Sequence, residues 1–292
     1  MSENNKKTNI NWYPGHMTKA VRMMEENIRL VDMIIEIIDA RAPLSSRNPD
    51  IDKLAVNKFR LVLMNKSDMA DKADNEKWNK YFEEKNIKCV QTNSRSSQGI
   101  KNLDKIIKEV CKDKIERDKK RGIIKRTIKC MIVGIPNVGK STFINSLSGK
   151  AKAATGNKPG VTKGKQWINV KNEFELLDTP GILWPKIDDE KTGVILALIG
   201  SVRDDILPFE ELSCHLINIL KDKYPGLLKE KFDIDESKES HLILEDYARL
   251  RNLVKTGNEL DIPRAAKMLT DDFRNNKLGY LTLDTIPENT ET

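Results

Sequence analysis

The segment "IKCMIVGIPNVGKSTF", residues 128–143, carries the strongest indication of the fold. It begins with an apolar, β-branched run, continues through a loop that contains Gly134 and Gly139, and ends in residues that favour a helix. The loop matches the pattern GxxxxGK[ST], in which main-chain N–H groups surround nucleotide phosphates at a helix N-terminus. The sequence therefore predicts a strand, a phosphate loop and a helix in that order.

The residue types in this loop indicate their roles. Lys140 should reach the β- and γ-phosphates, and Ser141 should bind Mg²⁺. The two glycines allow the backbone to approach the phosphates closely. The loop and the first turn of its helix are predicted to contact the nucleotide through Asn137, Val138, Gly139, Lys140, Ser141 and Thr142.

Two segments further along the chain complete the predicted phosphate site. "DTPG", residues 178–181, ends a predicted strand, so Asp178 can hold Mg²⁺ through water and the Gly181 amide can sense the γ-phosphate. In "KPGVTKGK", Thr162 is predicted to close over Mg²⁺ when the γ-phosphate is present. An ordinary loop rich in lysine and glycine is the alternative interpretation of this second segment.

A base-reading motif lies upstream, in "MNKSDM", residues 64–69. Asp68 can accept two hydrogen bonds from guanine, Asn65 can address the opposite edge of the base, and the stem of Lys66 can cover the ring. Adenine lacks the donor pair and would leave a carboxylate unpaired, so GTP is favoured over ATP. Ser94, after another predicted strand, is expected to supply a main-chain N–H to the guanine oxygen.

Short apolar runs alternate with amphipathic segments through the first half of the chain, which is typical of a doubly wound α/β sheet. "QWINV" and "FELLD" predict an edge hairpin, and helical patterns alone follow "DTPGILWP". The predicted fold is a mostly parallel, six-stranded P-loop GTPase sheet followed by a smaller helical domain, with domains at 1–185 and 186–292. Helices are predicted near 17–31, 75–86, 102–115, 140–148, 190–201, 209–222, 240–255 and 263–276.

The order of the motifs is unusual, because the base reader precedes the phosphate loop and does not recur after Asp178. All the motifs follow strands that would end at the same edge of one parallel sheet. Moving the chain break therefore changes the connectivity without moving the pocket. The sequence predicts a circularly permuted GTPase domain.

The chain resembles the circularly permuted bacterial ribosome-assembly GTPases. The resemblance rests on the motifs above together with "WYPGHM" (12–17), "DARAPLSSRNP" (39–49) and "GYLTLD" (279–284). It implies a GTPase that binds late precursors of the large ribosomal subunit and leaves after converting GTP to GDP. It also implies that the helical domain contacts ribosomal RNA.

Catalysis needs a group that orients the attacking water, and Ile182 stands where many GTPases carry a glutamine. The resemblance supports His16 as that group, in a catalytic set of His16, Lys140 and Thr162. Asn137 holding a K⁺ ion beside the phosphates, as in related GTPases, is an alternative. A packing or solvent role is the other interpretation of His16.

Composition limits the classes of protein that fit. The chain has 292 residues with 38% hydrophobic content, no apolar run long enough to cross a bilayer and no signal-peptide pattern, so a cytoplasmic protein without a membrane partner is expected. Its four widely spaced cysteines indicate neither a zinc site nor a disulfide framework. Nothing in the sequence indicates a stable homo-oligomer.

Charge is distributed unevenly along the chain. Residues 1–185 carry 36 basic and 22 acidic side chains, a net charge of +14, whereas residues 186–292 carry 15 and 22, a net charge of −7. The basic run 105–129 is either a solvated face or a polyanion contact. RNA contacts in the acidic half therefore depend on a local basic cluster, for which the candidates are Arg249, Arg251, Lys255, Arg264, Lys267, Arg274 and Lys277.

Two other classes of function remain open at this stage. A non-catalytic, nucleotide-gated RNA-binding scaffold is favoured by the missing glutamine. A phosphotransferase could use the same phosphate loop, but the guanine reader is complete and no acceptor-substrate motif is visible.

Overall fold

The computed structural model describes residues 16–123, 126–148, 166–170, 174–179, 181, 183, 187, 189–204 and 208–287. Six strands form one sheet: β1 (Met33–Asp39), β2 (Phe59–Asn65), β3 (Lys88–Gln91), β4 (Ile128–Val133), β5 (Gln166–Val170) and β6 (Phe174–Asp178). Their order across the sheet is β3-β2-β1-β4-β6-β5. The edge strand β5 pairs antiparallel with β6, and the other pairs are parallel. The predicted fold class, including the edge hairpin, is confirmed.

The register of the central strands positions the site. β1 is buried along its whole length, because apolar residues face helices on both sides of a parallel sheet. Asp39 at the end of β1 lies opposite Asn65 at the end of β2, and Ile132 of β4 lies opposite Asp178. The loops that carry the predicted motifs therefore leave the sheet at its carboxyl edge.

Eleven α-helices lie in the described part of the chain. They are α1 (His16–Asn27), α2 (Asp50–Leu54), α3 (Lys72–Glu84), α4 (Leu103–Val110), α5 (Lys112–Lys120), α6 (Lys140–Ser148), α7 (Glu190–Leu198), α8 (Phe209–Lys223), α9 (Leu227–Phe232), α10 (Ser240–Leu250) and α11 (Ile262–Arg274). Within the described ranges, no helix has both the length and the apolar character needed to cross a bilayer.

The helices differ from the prediction in three places. The helix predicted over 102–115 is two helices, α4 and α5, which meet at Cys111 and continue to Lys120. The short helices α2 and α9 were not predicted. Helices of five and six residues contain less than two turns, so they leave no amphipathic period in the sequence.

The helical region after residue 189 shares a continuous apolar core with the sheet, through residues of α7, α8 and α11. The predicted domain boundary at residue 185 lies outside the described residues. The segment after α11 returns to the sheet, where the Leu283 N–H donates to the carbonyl oxygen of Arg41 at 2.7 Å. This return contact was not predicted, because the two residues lie far apart in the sequence.

The four cysteines are free thiols. Cys89, Cys111 and Cys130 are buried. Burial raises the pKa of Cys89 and of Cys111 to about 12, so these thiols remain protonated at neutral pH. They act as small apolar packing groups in the core.

Candidate nucleotide-binding site

The phosphate loop joins the end of β4 to the start of α6. Its two glycines have positive φ angles, 153° at Gly134 and 97° at Gly139. A Cβ atom at Gly134 would lie 2.4 Å from the carbonyl oxygen of Ile37, and one at Gly139 would lie 2.3 Å from Nδ2 of Asn65. Glycine is therefore required at both positions by the neighbouring ends of β1 and β2, as well as for the predicted approach to phosphate.

Lys140 begins α6 and folds back over the loop. Its Nζ atom donates to the carbonyl oxygens of Gly134 at 2.7 Å and Ile135 at 2.8 Å. Burial lowers the pKa of Lys140 to about 8, although the charge of Asp178 opposes this shift. A Cβ atom at Gly181 would lie 2.8 Å from Nζ, so the structure brings Lys140, Asp178 and Gly181 together.

Asp178 ends β6 with its side chain buried. Its Oδ1 atom has no hydrogen-bond partner among the described residues. Burial raises the pKa of Asp178 to about 6, and the charge of Lys140 acts in the opposite direction. A buried carboxylate oxygen without a donor suits a hydrated divalent cation, and Ser141 lies in the first turn of α6 after the adjacent strand β4.

Asn65 connects the base-reading loop to the phosphate loop. Its Nδ2 atom donates to the carbonyl oxygen of Val138 at 2.7 Å. Its Oδ1 atom accepts from the main-chain N–H of Ser94 at 3.0 Å and from the Ser94 hydroxyl at 2.7 Å. Sequence reasoning assigned both residues to the base. In the structure, the contacts of Asn65 with Val138 and Ser94 join three loops, and the base-binding roles of Asn65 and Ser94 stay predictions.

Lys66 lies in the left-handed region, with φ of 59°. Its Nζ atom donates to Oδ2 of Asp39 at 2.7 Å, and Asp39 also forms a two-point pair with Arg41. Asp68 follows on the short 3-10 helix Ser67–Met69, with its carboxylate exposed and without a partner among the described residues. Asp68 is therefore free to accept hydrogen bonds from a base.

Sequence reasoning missed Asp39 and Arg41 as neighbours of this site. Their signal was "DAR", which directly follows a strand whose last residue lies opposite Asn65 in the parallel register. This charged pair follows a buried strand, and sheets of this kind bind nucleotides at the carboxyl ends of their strands. The position of the pair in the sequence therefore indicates that it lies near the site.

The remaining residues of the phosphate loop lie where α6 begins. Asn137 has a φ of 63°, and its Nδ2 atom donates to the carbonyl oxygen of Gly200 in the helical region. Ser141 and Thr142 lie half-buried in the first turn of α6. The Asn137 side chain thus contacts the segment after α7, in addition to its predicted place beside the phosphates.

The side chains of two predicted catalytic residues are outside the part of the chain that the structure describes. Thr162 is not among the described residues. His16 begins α1, but its side chain is outside the described part. Their roles stay predictions.

The seven basic candidates for RNA contact divide into two groups. Three are exposed and have no ion-pair partner among the described residues: Lys255, Arg264 and Lys267. The other four form ion pairs within the chain, as Arg249 with Glu245 and Asp246, Arg251 and Lys277 with Asp272, and Arg274 with Asp204. Arg274 also donates to the carbonyl oxygens at the end of α7.

The motif order and the sheet together define the class. The strands that carry the base reader, β2 and β3, come first in the chain, yet they belong to the same sheet as β4, which carries the phosphate loop, with β1 between β2 and β4. The pocket has the parts of a P-loop GTPase in a different chain order. This is a GTPase of circularly permuted connectivity.

Comparisons with known proteins agree with this class. The family model described as "50S ribosome-binding GTPase" matches residues 129–248. Ribosome biogenesis GTPase A of Bacillus cereus is 42% identical over 96% of this chain and 95% of its own length. The protein of the same name from Thermotoga maritima is 32% identical over 94% of each chain. The chain belongs to the ribosome biogenesis GTPase A family.

Solved structures show the same fold. The GDP-bound YlqF structure of T. maritima has a TM-score of 0.67 and 27% identity, and the alignment covers 90% of this chain and 98% of that one. The GNP-bound YlqF structure from T. maritima has a TM-score of 0.61 and 29% identity, covering 91% and 97%. The first is named as GDP-bound and the second as GNP-bound.

Proposed function

We propose that this GTPase acts in late assembly of the large ribosomal subunit, binding the precursor particle with GTP and leaving after hydrolysis. The observation that carries the proposal is the meeting of the base reader and the phosphate loop at one sheet edge, joined by the Asn65–Val138 hydrogen bond. The names of the family's relatives supply the ribosomal context.

In this proposal the nucleotide lies across the carboxyl edge of the sheet. Asp68 pairs with the base, and the loop amides from Asn137 to Thr142 surround the phosphates. On binding, Lys140 exchanges its present contacts with the carbonyl oxygens of Gly134 and Ile135 for the β- and γ-phosphates. Because its pKa is about 8, it is mostly charged at pH 7 and its positive charge is available to the phosphates.

Mg²⁺ fits this site because the buried Oδ1 atom of Asp178 has no donor among the described residues. Ser141, Asp178 and Thr162 would hold it. When bound, Mg²⁺ neutralises charge on the phosphate oxygens during phosphoryl transfer. The main-chain N–H of Gly181, a residue that lies close to Lys140, would donate a hydrogen bond to the γ-phosphate.

Orientation of the attacking water falls to His16 in this proposal, since Ile182 cannot accept or donate a hydrogen bond through its side chain. A K⁺ ion held by Asn137 is the second candidate. Asn137 already donates to Gly200, so a K⁺ ion would have to use the remaining oxygen of that amide.

The proposed units are a GTPase domain over 1–185 and a helical domain over 186–292 that contacts ribosomal RNA. Lys255, Arg264 and Lys267 are exposed and form no ion pair in the described chain, so they are the cations that support this contact. Loss of the γ-phosphate would remove a contact at Gly181, shortly before the helical domain. This loss would change the affinity of the helical domain for the particle. The proposed place of action is the cytoplasm.

GTP turnover with and without purified large ribosomal subunits tests this function. We expect weak intrinsic turnover and a clear increase with large subunits, but no increase with small subunits. GTP-dependent binding to large subunits without any acceleration of multiple turnover would favour the non-catalytic scaffold, which the missing glutamine at Ile182 supports. Absence of binding to large subunits in any nucleotide state would refute the proposal.

A further inference from the structure

Asp39 is the last residue of β1 and is completely buried. Its Oδ1 atom accepts from the main-chain N–H of Arg41 at 3.1 Å and from Nε of Arg41 at 2.9 Å. Its Oδ2 atom accepts from Nη2 of Arg41 at 2.8 Å and from Nζ of Lys66 at 2.7 Å. One carboxylate therefore joins the "DAR" segment to the base-reading motif.

The charges in this cluster explain why the carboxylate stays ionised. Burial alone raises the pKa of Asp39, but the charges and hydrogen bonds of Arg41 and Lys66 outweigh burial and hold the pKa well below its usual range. Two cations around one buried carboxylate leave an excess of one positive charge. Removing the carboxylate would therefore bring the ammonium of Lys66 next to the guanidinium of Arg41 without compensation.

The loop that presents Asp39 is itself fixed from two sides. The Asp284 carboxylate accepts from the main-chain N–H groups of Leu44 and Ser45, each at 2.7 Å, and from the Ser45 hydroxyl. On the other side, Nη1 of Arg41 donates to the carbonyl oxygen of Arg274 at 3.3 Å. The hydrogen bonds of Asp284 join the segment "DARAPLSSRNP" to the segment "GYLTLD" next to the base-reading motif. The proposed GTPase chemistry uses neither segment.

We infer that Asp39 and Arg41 are positioning residues for guanine binding, which hold Lys66 by its ammonium so that its four-carbon stem forms a fixed wall of the base pocket. The inference rests on the proposed base-binding role of the "NKSD" motif. A fixed wall stabilises bound GTP and GDP alike, because the base lies away from the γ-phosphate. It does not read the amino group of guanine, which is the part that Asp68 reads.

The test compares Asp39→Asn and Arg41→Lys with wild type and with Asp52→Asn. Asp52 is a matched control, because it also pairs with two arginines, Arg47 and Arg60, but at the half-exposed helix α2. Affinities for GTP, GDP and inosine triphosphate, which lacks the amino group, are measured together with KM and kcat.

We expect Asp39→Asn to weaken GTP and GDP binding by about tenfold to a hundredfold, the usual effect of removing a partner of a buried polar group. KM should rise while kcat at saturating GTP stays unchanged, because uniform binding is lost. The ratio of GTP to inosine triphosphate affinity should remain that of wild type. Arg41→Lys, which keeps the charge but loses the two-point contact, should show a smaller change in the same direction.

Wild-type affinities in both variants would overturn the inference. The inference would also be overturned if the variants lost the preference for GTP over inosine triphosphate. That result would mean that the whole loop, including Asp68, had collapsed. Should Asp39→Asn fail to fold, Arg41→Lys carries the test. Failure of the base-reader assignment is recognised separately, by Asp68→Asn leaving that ratio unchanged.

A second, independent feature lies at the opposite edge of the sheet. A cleft of about 230 Å³ is bordered by the residues that precede β1 and begin β2, and by α5. Because the strands are parallel, this amino edge faces away from the nucleotide. Five basic and two acidic side chains line the cleft, namely Lys58, Lys114, Arg117, Arg121, Arg126, Asp32 and Asp118.

The acidic groups of the cleft are already paired. Lys114 Nζ lies 3.3 Å from Asp32 and 3.1 Å from Asp118. The guanidinium groups of Arg121 and Arg126 form no hydrogen bond or close ion pair with the described residues, although their charges help to lower the pKa of Asp118. The Arg117 guanidinium donates to the carbonyl oxygen of Asp113 at 3.3 Å. No residue of α5 is fully buried, and its single apolar side chain, Ile115, is partly buried against the core. The cleft therefore keeps three guanidinium groups for an external anion.

We propose that this cleft binds the phosphate backbone of RNA, which rests on the proposed ribosomal function. Arginine matches phosphate oxygens in a two-point geometry, and several arginines around one cleft follow a backbone better than they bind a single small anion. This contact would be separate from that of Lys255, Arg264 and Lys267 in the helical region.

The test replaces Arg117, Arg121 and Arg126 together by glutamine and measures binding to purified large ribosomal subunits across a salt series. The control replaces Lys72, Lys77 and Lys80 on α3 by glutamine, which changes the net charge equally. Losing three phosphate contacts should lower the slope of log affinity against log salt by about 2 to 3, since each contact contributes about 0.7 to 0.9. The control should keep the wild-type slope, and intrinsic turnover should stay unchanged in both.

An unchanged slope in the arginine variant would overturn the cleft assignment while leaving the proposed function intact. An equal fall in slope in the α3 control would mean that only net charge matters, which also overturns it. Failure of wild type to bind large subunits would overturn both this inference and the proposed function.

Discussion

The side-chain amide of Asn65 donates a hydrogen bond of 2.7 Å to the main-chain carbonyl oxygen of Val138. The first residue belongs to the base reader and the second to the phosphate loop, and the chain reaches one long before the other. The bond shows how permuted connectivity preserves one pocket, because the two loops leave adjacent parts of the same sheet edge.

Asn65→Ala should therefore weaken both halves of the site at once. The change removes the donor to Val138 and leaves the Ser94 groups without their acceptor, so the free energy of unfolding should fall by about 1–3 kcal/mol. GTP and GDP affinities should fall by at least about tenfold with it. Isothermal titration and chemical denaturation measure both quantities, and Asn79→Ala at a half-buried position of α3 is the control. Unchanged nucleotide affinity would show that the bond has no role in binding.

Asp68→Asn should change the preferred base. Xanthine presents an oxygen where guanine presents its amino group, so the variant should lose GTP affinity and gain affinity for xanthosine triphosphate. A site that rejects an analogue by leaving a polar group unpaired can discriminate by about four orders of magnitude. Competition binding with the two triphosphates checks the switch, and a retained preference for GTP would contradict the base-reader assignment.

Lys140→Ala should abolish tight triphosphate binding while the fold persists. Nζ is held by loop carbonyl oxygens before it meets phosphate, so the variant loses a buried cation that burial already disfavours. Circular dichroism should report a native spectrum, and a fluorescent GTP analogue should no longer bind. Wild-type affinity in this variant would contradict the assignment of residues 134–141 as a phosphate-binding loop.

The carboxyl group of Asp178 predicts a dependence on pH. Its pKa of about 6 lies above the value for an unfolded chain, so the protonated form stabilises the fold and this contribution is lost as the pH rises through about 6. Asp178→Asn should therefore raise the free energy of unfolding of the nucleotide-free protein at pH 7 by about 1–3 kcal/mol. Thermal unfolding at pH 5 and pH 7 tests this, with the difference between the proteins shrinking at pH 5.

The same variant should lose function. Metal ligation needs the ionised carboxylate, so Mg²⁺-dependent tightening of GTP binding should weaken in wild type below about pH 6 and be nearly absent in Asp178→Asn at any pH. Titration of Mg²⁺ into the GTP complex at several pH values provides the measurement. A variant that is both less stable and fully responsive to Mg²⁺ would contradict the assignment.

His16→Ala should separate binding from hydrolysis. If the imidazole orients water on the ribosomal particle, the variant binds GTP normally and loses about a hundredfold to ten-thousandfold of the particle-stimulated rate, with little change in intrinsic turnover. Single-turnover hydrolysis at saturating large subunit measures this. A packing histidine would instead lower stability or particle affinity and leave turnover on the saturated particle near normal.

Much of the fold and the parts of the site were predictable from local patterns. Buried parallel strands such as Met33–Asp39 read as continuous apolar runs, and the phosphate loop has fixed residue types because few backbones can surround phosphate. The division of residues 102–120 into α4 and α5 was not predictable, since Cys111 at the break fits an apolar helical face equally well.

Local sequence patterns were enough to predict the class of chemistry and the order of the strands along the chain. The partners of the site residues became known from the folded structure: Lys66 contacts Asp39, Asn65 contacts Val138, and Asp284 contacts Ser45. Local patterns arise from the period of a helix or strand, and they are visible within a dozen residues. A contact between residues that are distant in the chain leaves no such period, because it depends on strand register and on how the last residues return to the sheet.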